Sequence, residues 1–391
     1  MSVSSESAPA PPSPAPAAPV GWVVRRGPTR PPDDVRIWGL DPEERLLRSL
    51  RRAGCRDPRV VDAATPPREP GTVLALRADV VLDERLVEGL RDAPDTLLVT
   101  PELGPIGAHV SSDRADLLCA ALRRAEADTL TGVRRVTPLE LAPAYVAKLR
   151  KREVPYVFPA RPETAALVER HTFAASYKGL TDLVTKWVWP RPAEAATRWC
   201  ASRGVRPNTV TLWSGALAVA TALLFARGAF GAGLVCGWGM TFLDTVDGKL
   251  ARVTLTSSRL GDVLDHGLDL IHPPFWWWAF GVGLGAAHEL ATIVVVAGYF
   301  VGRGLEGAFL ARFGFETHSW RPIDGLFRTI TARRNPNLIL LSVGTIGGRP
   351  DLGLVMVALW TVASLCFHAV RLAQAATRRA SGAALVPWED A

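Results

Sequence analysis

Four aspartates in one short stretch constrain this chain more than any other feature of its sequence. The stretch from Phe242 to Asp269 reads FLDTVDGKLARVTLTSSRLGDVLDHGLD. Asp244 and Asp247 are three residues apart, and Asp265 and Asp269 are four residues apart, so on helices each pair shares one face. The polar residues between the pairs suit the connection of a helix–turn–helix. The spacing therefore predicts two facing helices that bring four carboxylates to one point.

Four carboxylates in a low-dielectric site repel each other strongly unless cations lie between them. Oxygen-rich sites suit Mg²⁺ or Mn²⁺, so the stretch predicts divalent ions of this kind. The small residues Gly248, Ala251 and Gly261 leave room for a ligand beside the metals, and Arg252 adds a cation suited to phosphate. An EF-hand is excluded, because the pattern D-x-[DN]-x-[DN]-G-x5-E does not occur in the sequence.

The pattern that these residues form, D-x2-D-G-x2-A-R-x8-G-x3-D-x3-D, resembles the signature of the CDP-alcohol phosphotransferase family at every fixed position. The resemblance implies an integral-membrane enzyme of phospholipid or phospho-polyol synthesis. Such an enzyme moves the phosphoalcohol or phosphatidyl group of a CDP-alcohol onto a hydroxyl of an acceptor alcohol and releases CMP. By the same resemblance, two divalent ions, Mg²⁺ or Mn²⁺, are held by Asp244, Asp247, Asp265 and Asp269. Asp269 is also implied as the catalytic base that takes the proton of the acceptor hydroxyl.

The resemblance further implies where the nucleotide and the acceptor bind. The implied nucleotide site consists of Thr211, Gly248, Ala251, Arg252 and Gly261. Thr211 ends a P-N-x-x-T element, and its hydroxyl either donates to a phosphate or caps its own helix. The implied site for an acceptor phosphate consists of Arg333, Arg334 and Arg303. The alternative is that these arginines only mark the cytosolic side of the membrane.

Charged and apolar residues are unevenly distributed along the 391 residues. The front half is rich in Arg, Asp, Glu and Pro, whereas most uncharged runs follow Val210, which predicts a soluble front half and a membrane back half. The net charge of +7 fits anionic lipid head groups or nucleotide phosphates. No recognised nucleic-acid-binding motif accompanies it, so nucleic acid is not an expected partner. Five scattered cysteines without a C-x-x-C disfavour a disulfide framework or a zinc site.

In the front half, short β-like runs alternate with helical ones, which predicts an α/β layer domain. The predicted strands are Val35–Trp38, Arg59–Asp62, Thr72–Leu76, Val80–Leu82 and Leu97–Thr100. The predicted helices are Pro42–Ala53, Glu84–Leu90 and Arg114–Ala125.

The arrangement of the front half, above all RADVVLDERLVEGL, looks like the sugar-nucleotide cytidylyltransferase fold, which some inositol-phosphate-type relatives of the back half carry at the N-terminus. That fold holds nucleotide phosphates with a Gly-rich loop after its first strand. Here the segment after Trp38 reads GLDPEERLLRS and contains no such loop. We therefore predict a degenerate nucleotidyltransferase-like domain, in which Asp79 and Asp83 are structural or surface carboxylates.

The sequence divides into five expected segments. Residues 1–20 form a disordered tail rich in Pro, Ala and Ser, without the features of a signal peptide. Residues 21–178 form the cytosolic α/β domain, and residues 179–208 form a linker. Its segment Pro192–Arg203 is either an interfacial helix or an ordinary packed surface helix. Residues 209–377 form the membrane domain, and residues 378–391 form a cytosolic tail.

About six transmembrane helices are expected in the membrane domain, since a spanning helix needs roughly 20 mostly apolar residues. The candidates are Thr209–Ala226, Phe230–Leu250, Gly261–Gly283, Leu290–Ala311, Asn337–Gly348 and Leu352–Leu372. The distribution of arginines between their loops places the front domain and the active site on the cytosolic side of a bacterial-type cytoplasmic membrane. Because an ionisable group inside a membrane helix is costly unless it faces a polar cavity, Asp265 and Asp269 are functional candidates on physical grounds.

Two substrate pairs remain open at this stage. One is CDP-diacylglycerol with a polyol or polyol phosphate, and the other is a soluble CDP-polyol with a phosphorylated polyol. A different class of function is a polytopic binding or transport protein that uses the aspartates as an ion site. The Gly-x-x-Ala-Arg element beside Asp247 disfavours that class, because an ion path needs no nucleotide site. The family resemblance also implies membrane lipids as partners and a homodimer.

Overall fold

The computed structural model describes residues 17–26, 35–62, 64–146, 149–257 and 259–388, and of residues 259–266 and 268 it describes the backbone only. The chain separates into two compact units. The N-terminal unit contains Met1–Val35, Pro42–Ala142 and Pro155–Arg161. The helical unit contains Arg36–Asp41, Pro143–Val154 and Pro162–Ala391. The helix Pro162–Ala175 therefore belongs to the helical unit, although the sequence placed the end of the front domain at residue 178.

The N-terminal unit is an α/β unit, as predicted. Its strands are β1 (Val20–Arg25), β2 (Arg56–Asp62), β3 (Thr72–Arg77), β4 (Val80–Leu82), β5 (Thr96–Thr100), β6 (Gly104–Ser111), β7 (Arg134–Val136) and β10 (Val157–Pro159). Its helices are α1 (Pro42–Arg52), α2 (Glu84–Asp92), α3 (Ala115–Arg124) and α4 (Pro138–Leu141). Two further strands, β8 (Tyr145–Val146) and β9 (Lys151–Arg152), form an antiparallel pair in the helical unit.

In the described part of the N-terminal unit, six strands form one mixed sheet in the order β2-β1-β3-β6-β5-β7. β1 pairs in parallel with β2 and with β3, and β5 pairs in parallel with β7. β6 is antiparallel to both of its neighbours, β3 and β5. Buried side chains cover both faces of the sheet, Trp22 and Leu97 on one face and Val23 and Leu98 on the other. This alternation between neighbouring residues is the period-two pattern of strands covered on two faces.

One predicted strand was wrong, and several strands of the N-terminal unit were not predicted. Val35–Trp38 is no strand: Ile37 forms only an isolated bridge with Leu40, and Trp38 has a left-handed backbone with φ of 52°. Its ring is buried in the helical unit, where Nε1 donates to Thr172 Oγ1 at 2.8 Å. The strands β1 and β6 were missed. β1 directly follows a Pro- and Ala-rich segment, and β6 begins with the turn-forming sequence GPIG.

The helical unit is all-helical from Pro162 onward in its described part. Its helices are α5 (Pro162–Ala175), α6 (Pro190–Ser202), α7 (Pro207–Ala226), α8 (Phe230–Val253), α9 (Arg259–Leu284), α10 (Glu289–Phe313), α11 (Pro322–Arg328), α12 (Arg334–Ile346) and α13 (Pro350–Ala380). One π-helical turn, Val184–Val188, precedes α6, and 3-10 turns lie at Ala286–His288 and Thr317–Ser319.

Among the described residues, three helices are long and apolar enough to cross a membrane. They are Pro207–Ala226, Ala286–Phe313 and Pro350–Ala380. α8 and α9 have the length for a crossing, with 24 and 26 residues, and they carry the aspartates. α12 has only 13 residues, and residues 329–333 separate it from α11, so it is not extended by the preceding segment.

The core of the helical unit explains why α9 lies where it does. Trp276 and Trp277 are fully buried, and Trp276 Nε1 donates to the carbonyl oxygen of Ala218 on α7 at 2.8 Å. Phe280 packs edge-on against Phe225 of α7, with 4.9 Å between the ring centroids. Burial of large aromatic side chains of this kind is a major source of packing energy. Trp276 and Trp277 therefore belong to the packed core of the helical unit.

A close approach between α12 and α13 fixes the position of α12. A Cβ atom added to Gly344 would lie 2.6 Å from Gly353 Cα and 2.9 Å from the carbonyl oxygen of Arg349. Both are backbone atoms, so they cannot move aside as a side chain would. We expect Gly344→Ala to lower the free energy of unfolding by about 1–3 kcal/mol, the usual cost of overpacking. The thermal midpoint of the purified protein in detergent measures this loss.

Gly304 of α10 is the matched control for this prediction. A Cβ atom added there would meet no atom within 4 Å. Since Gly in a helix interior costs roughly 0.5–1 kcal/mol relative to Ala, Gly304→Ala should leave the thermal midpoint unchanged or raise it. Equal midpoints for the two variants would contradict tight packing at Gly344.

Candidate active site

Carboxylates from α8 and α9 converge on one guanidinium group. Arg334, the first residue of α12, donates from Nη1 to Asp269 Oδ1 and from Nη2 to Asp244 Oδ2, at 2.6 Å in each case. Asp244 and Arg334 are mostly buried, with side chains 14 and 17% exposed, whereas the Asp269 side chain is 47% exposed. Asp244 and Asp269 therefore come together from the two helices, as the sequence predicted.

Arg334 contacts two of the predicted metal ligands, and its predicted role in binding an acceptor phosphate stays a prediction. Its guanidinium lies between two carboxylates, where a positive charge offsets their mutual repulsion. The donor set there consists of carboxylate oxygens brought together from two helices, which is the set that Mg²⁺ and Mn²⁺ prefer. The described residues thus fit the divalent ions that the sequence implies. In this structure the positive charge between the two carboxylates is the guanidinium of Arg334.

Asp247 lies one turn after Asp244 on α8 and faces α7. Thr211 Oγ1 donates to Asp247 Oδ2 at 2.6 Å, and Asp247 is 4% exposed. Thr211 Oγ1 also lies 3.2 Å from the carbonyl oxygen of Pro207 in its own helix. The N-cap of α7 is Arg206, so the contact with Pro207 does not make Thr211 a cap of its helix. The contact with the carboxylate of Asp247 was not predicted, and a hydrogen bond from Thr211 to a phosphate stays a prediction.

Two of the predicted site residues on α9, Gly261 and Asp265, are described by their backbone only. Asp265 and Gly261 belong to the helical backbone Arg259–Leu284, and their side-chain surroundings are outside the part of the chain that the structure describes. They remain predictions from the spacing of the motif.

A cavity of about 620 Å³ opens beside Asp244 and Asp269. The predicted site residues that line it are Asp244, Gly248, Arg252, Asp269, Arg303, Arg333 and Arg334. Asp247, Ala251 and Thr211 are described residues that do not line it. Gly248 leaves open space, since the nearest atom to an added Cβ is Arg252 Nη2 at 3.8 Å. One cavity thus contains predicted metal, nucleotide and acceptor residues.

The segment before α6 forms one wall of this cavity. The carbonyl oxygen of Ser176 accepts hydrogen bonds from Lys249 Nζ at 3.1 Å and from Arg252 at 3.2 Å. Lys249 also lies over the ring of Tyr177, 3.3 Å from its centroid. Lys249 was missed by the sequence reasoning, although it lies inside the motif, because the motif places no requirement on that position.

Further along this segment, Asp182 attaches it to α12. Asp182 Oδ1 accepts from Asn335 Nδ2 at 2.9 Å and from the backbone of Val184 at 3.0 Å. Burial raises the pKa of Asp182, but the hydrogen bonds from Asn335 and Thr185 outweigh it, so that the pKa lies below its ordinary value. The segment is therefore tied to α8 at one end and to α12 at the other.

Arg303 and Arg333 meet at a carboxylate that was not predicted. Arg333 donates to Glu306 Oε2 at 2.5 Å, and Arg303 contacts the same oxygen at 3.3 Å. Glu306 lies on α10, in the cavity wall. Its sequence signal is that of an acid in the interior of a mostly apolar helix, a position that is costly in a membrane unless the side chain faces a polar cavity.

Comparison with known proteins agrees with the motif. Residues 205–332 match the model of the CDP-alcohol phosphatidyltransferase family. The predicted resemblance to this family is confirmed. The matched segment contains the whole aspartate motif and, of the three predicted arginines, Arg303. It contributes Asp244, Gly248, Arg252 and Asp269 to the lining of the cavity, to which residues outside the segment also contribute.

The proteins to which this chain is similar include two kinds of enzyme. Cholinephosphotransferase 1 of Xenopus laevis is 31% identical over 159 residues, which cover 37% of this chain and 37% of that protein. Phosphatidylinositol phosphate synthase of Mycobacteroides abscessus is 29% identical over 198 residues, which cover 48% of this chain and 84% of that protein. The chain thus spans little more than a third of the cholinephosphotransferase that it matches.

The chain also has a low similarity to a solved structure. The crystal structure of phosphatidylinositol phosphate synthase of Mycobacterium tuberculosis, with CDP-DAG bound, is 20% identical, with a TM-score of 0.38, and the match covers 46% of this chain and 94% of that chain. The apolar helices of the helical unit, together with the similarity to membrane enzymes, support an integral membrane protein.

Proposed function

We propose that this protein is a CDP-alcohol phosphotransferase that transfers the phosphoalcohol or phosphatidyl group of a CDP-alcohol to a hydroxyl of an acceptor alcohol and releases CMP. The observation that carries the proposal is the convergence of Asp244 and Asp269, from neighbouring helices, on the guanidinium of Arg334 at the wall of a cavity of about 620 Å³. The family match over residues 205–332 supports the same reaction.

Divalent ions are proposed to bind at Asp244, Asp247, Asp265 and Asp269. When bound, two such ions neutralise charge on the pyrophosphate and on the leaving CMP. Thr211 orients Asp247 through its 2.6 Å hydrogen bond, and Arg334 neutralises Asp244 and Asp269. Since two neighbouring carboxylates repel each other, the guanidinium of Arg334 between them offsets this repulsion and holds both side chains in place.

The remaining predicted site residues are assigned to two substrates, the CDP-alcohol and the acceptor alcohol. Gly248 gives the nucleotide phosphates a close approach to α8, and Arg252 donates to them. Gly261 and Ala251 complete this site as predictions from the motif. Arg303 and Arg333 receive an acceptor phosphate at the other wall. Asp269, exposed to the cavity, accepts the proton of the acceptor hydroxyl as that oxygen forms its bond to phosphorus.

Release of CMP tests the proposed reaction. The purified full chain is incubated with Mn²⁺ or Mg²⁺, a labelled CDP-alcohol and a panel of acceptors that covers both open substrate pairs. CMP that appears only when CDP-alcohol, acceptor and metal are all present supports the proposal. Binding of the CDP-alcohol or the metal without CMP release under every combination contradicts it and favours a binding or transport protein.

The hydrogen bond between Thr211 and Asp247 predicts how a substitution of Thr211 changes the Mn²⁺ requirement. Thr211→Val keeps the shape of the side chain but removes the hydroxyl that holds Asp247. Because partners behind a metal ligand typically change affinity or activity by about 10–100-fold, we expect the Mn²⁺ concentration for half-maximal activity to rise within that range. Thr211→Ser retains the hydroxyl and should behave like the unmodified chain. A metal titration of CMP release would show both, and an unchanged half-maximal concentration in Thr211→Val would exclude this role.

We further propose that α7, α8, α9, α10, α12 and α13 together form the membrane domain, with the cavity on the cytosolic side and the protein as a homodimer. Support comes from the length of α8 and α9 and from the arginines between α10 and α13. Labelling of single introduced cysteines with an impermeant reagent in intact cells and in opened cells checks the sidedness.

The N-terminal unit is proposed as a degenerate nucleotidyltransferase-like domain. Asp83 caps α2 by accepting from the backbone of Arg85 at 3.0 Å, and Asp79 accepts from the buried Arg77 at 2.6 Å. Both carboxylates therefore have structural contacts. A nucleotidyl-transfer assay on the full chain, with CTP and sugar or polyol phosphates, should give no turnover, and robust formation of a CDP-alcohol would refute degeneracy.

A further inference from the structure

Helix α9 contains two consecutive prolines, Pro273 and Pro274, in its interior. A proline has no backbone N–H, so it cannot donate a hydrogen bond to the carbonyl oxygen four residues earlier in a helix. The two carbonyl oxygens that lose their helical donor in α9 are those of Asp269 and Leu270. One of them therefore belongs to the residue proposed as the catalytic base.

The hydroxyl of Tyr299, on α10, lies next to both of these carbonyl oxygens. Tyr299 Oη donates to the carbonyl oxygen of Leu270 at 2.9 Å and lies 3.4 Å from that of Asp269. A phenol has one proton to donate, so the shorter contact is the stronger of the two. Tyr299 is buried, and it lines the same cavity as Asp269. A donor from α10 thus replaces the helical donors that Pro273 and Pro274 lack.

A carbonyl oxygen without a donor is costly inside a membrane, where no water reaches it. Tyr299 belongs to the segment Ala286–Phe313, which is long and apolar enough to cross a membrane. Prolines are tolerated inside membrane helices where a neighbouring helix supplies the missing hydrogen bonds. Tyr299 is such a neighbour, and Tyr299→Phe would remove its donor without removing its ring.

The two prolines separate two parts of α9 that have different surroundings. After the prolines, Trp276 and Trp277 are buried in the core of the helical unit. Before the prolines, Leu270 and Ile271 are more than half exposed. Because prolines kink helices, the helical hydrogen bonds alone do not fix the angle between the two parts. The hydroxyl of Tyr299 contacts the backbone just before the prolines, where it fixes the part that carries the aspartates.

The packing of α10 determines where this hydroxyl lies. A Cβ atom added to Gly298 would lie 2.4 Å from Thr361 Cγ2, so α10 and α13 approach closely at the residue before Tyr299. One turn later on α10, the guanidinium of Arg303 lies 5.5 Å from the centroid of the Tyr299 ring. The close approach to α13 therefore fixes the part of α10 from which Tyr299 reaches α9.

We propose that Tyr299 is a positioning residue, which holds the backbone of Asp269 and Leu270 so that the Asp269 carboxylate faces the acceptor hydroxyl. Arg334 contacts the side chain of Asp269, and Tyr299 contacts its backbone, so the residue is held at both ends. Tyr299 acts through Asp269 and needs no contact with either substrate. This role rests on the proposed function for the task of Asp269, whereas the hydrogen bond does not depend on turnover.

Thermal midpoints of the metal-free full chain in detergent test the hydrogen bond without any reaction. Tyr299→Phe should lower the midpoint by about 2–4 °C, the shift expected for the loss of one hydrogen bond. The background Pro273→Ala/Pro274→Ala supplies the two missing N–H groups from α9 itself, so Tyr299→Phe should lower the midpoint clearly less there. Tyr177→Phe is the control and should leave the midpoint unchanged, since the buried hydroxyl of Tyr177 has no hydrogen-bond partner among the described residues.

Two outcomes of the midpoint measurements overturn the proposal, whatever the activity of the chain. One is an equal loss from Tyr299→Phe in both backgrounds, and the other is no loss in either background. If the double proline variant does not fold, Pro274→Ala takes its place, because it alone restores a helical donor to Leu270, the residue at the shorter contact.

Kinetics test whether the hydrogen bond serves Asp269. In Tyr299→Phe we expect kcat for CMP release to fall by about 10–100-fold, since a small misplacement of a reacting group can cost ~10²-fold. The KM for the CDP-alcohol and for the acceptor should not rise. Tyr156→Phe, in the N-terminal unit, is the control and should keep the normal kcat. A lower thermal midpoint with unchanged kcat overturns the proposal and leaves Tyr299 as a structural partner of α9.

A second pair of variants shows whether Tyr299 acts through the base. In the background Asp269→Asn, Tyr299→Phe should reduce the remaining CMP release little further, because residues that act as a unit are not additive. A full further loss, or a raised KM with unchanged kcat, overturns the proposal and indicates a contact with substrate. If the unmodified chain releases no CMP, the proposed function fails and this role of Tyr299 fails with it, whereas failure of this role alone leaves CMP release by the unmodified chain intact.

Discussion

Replacement of Asp269 by Asn should reduce CMP release by about 10²–10⁴-fold, the usual contribution of general-base help. The amide has nearly the size of the carboxylate but cannot take the proton of the acceptor hydroxyl. Asp269 is placed for this role, because its side chain is 47% exposed at the wall of the cavity while one oxygen contacts Arg334. We expect the loss to persist at saturating Mn²⁺. Binding of the CDP-alcohol should largely survive, which equilibrium binding of a labelled substrate would show.

Asp351→Asn is the matched control for this change. It is the same substitution at the start of α13, where the carboxylate pairs with Arg349 outside the cavity. Near-normal CMP release is expected there. If Asp269→Asn also turned over at nearly the normal rate, Asp269 would not be the base, and the acceptor proton would have to leave by another route.

The sequence motif predicted more of the site than of its surroundings. The three-residue spacing of Asp244 and Asp247 correctly placed both on α8, and the apolar runs correctly indicated the long helices. The motif could not place Arg334, because its position depends on where the short helix α12 begins and on the packing of Gly344 against Gly353. That contact joins two helices and leaves no periodic signal in either one.

In the N-terminal unit, the errors have local causes. β6 contains Gly104, Pro105 and Gly107, which a propensity argument assigns to a loop. In the sheet, Gly107 lies against β3 so closely that an added Cβ would be 2.7 Å from the carbonyl oxygen of Ala75. The glycine thus serves a close approach between strands, which only the paired sheet reveals. Glu306 was missed for a related reason, since Arg333 and His318 are brought to it by other segments.

The largest effect on metal dependence is expected from Asp244→Asn. Asp244 belongs to the carboxylate set proposed to hold the divalent ions, and its Oδ2 contacts Arg334 at 2.6 Å. The amide removes one negative charge and one of the hard oxygen ligands that Mg²⁺ and Mn²⁺ prefer. We expect CMP release at a Mn²⁺ concentration that saturates the unmodified chain to fall by more than the roughly 10–100-fold typical of residues behind a ligand.

A titration with Mn²⁺ distinguishes this role from that of Asp269. In Asp244→Asn, added Mn²⁺ should restore part of the activity, because the defect lies in metal affinity. In Asp269→Asn it should restore little, because the defect lies in the transfer of the proton. Chelation should abolish CMP release in the unmodified chain, and Mn²⁺ or Mg²⁺ should restore it. Activity of Asp244→Asn that is low but independent of the metal concentration would place the metal elsewhere and leave Asp244 as the structural partner of Arg334.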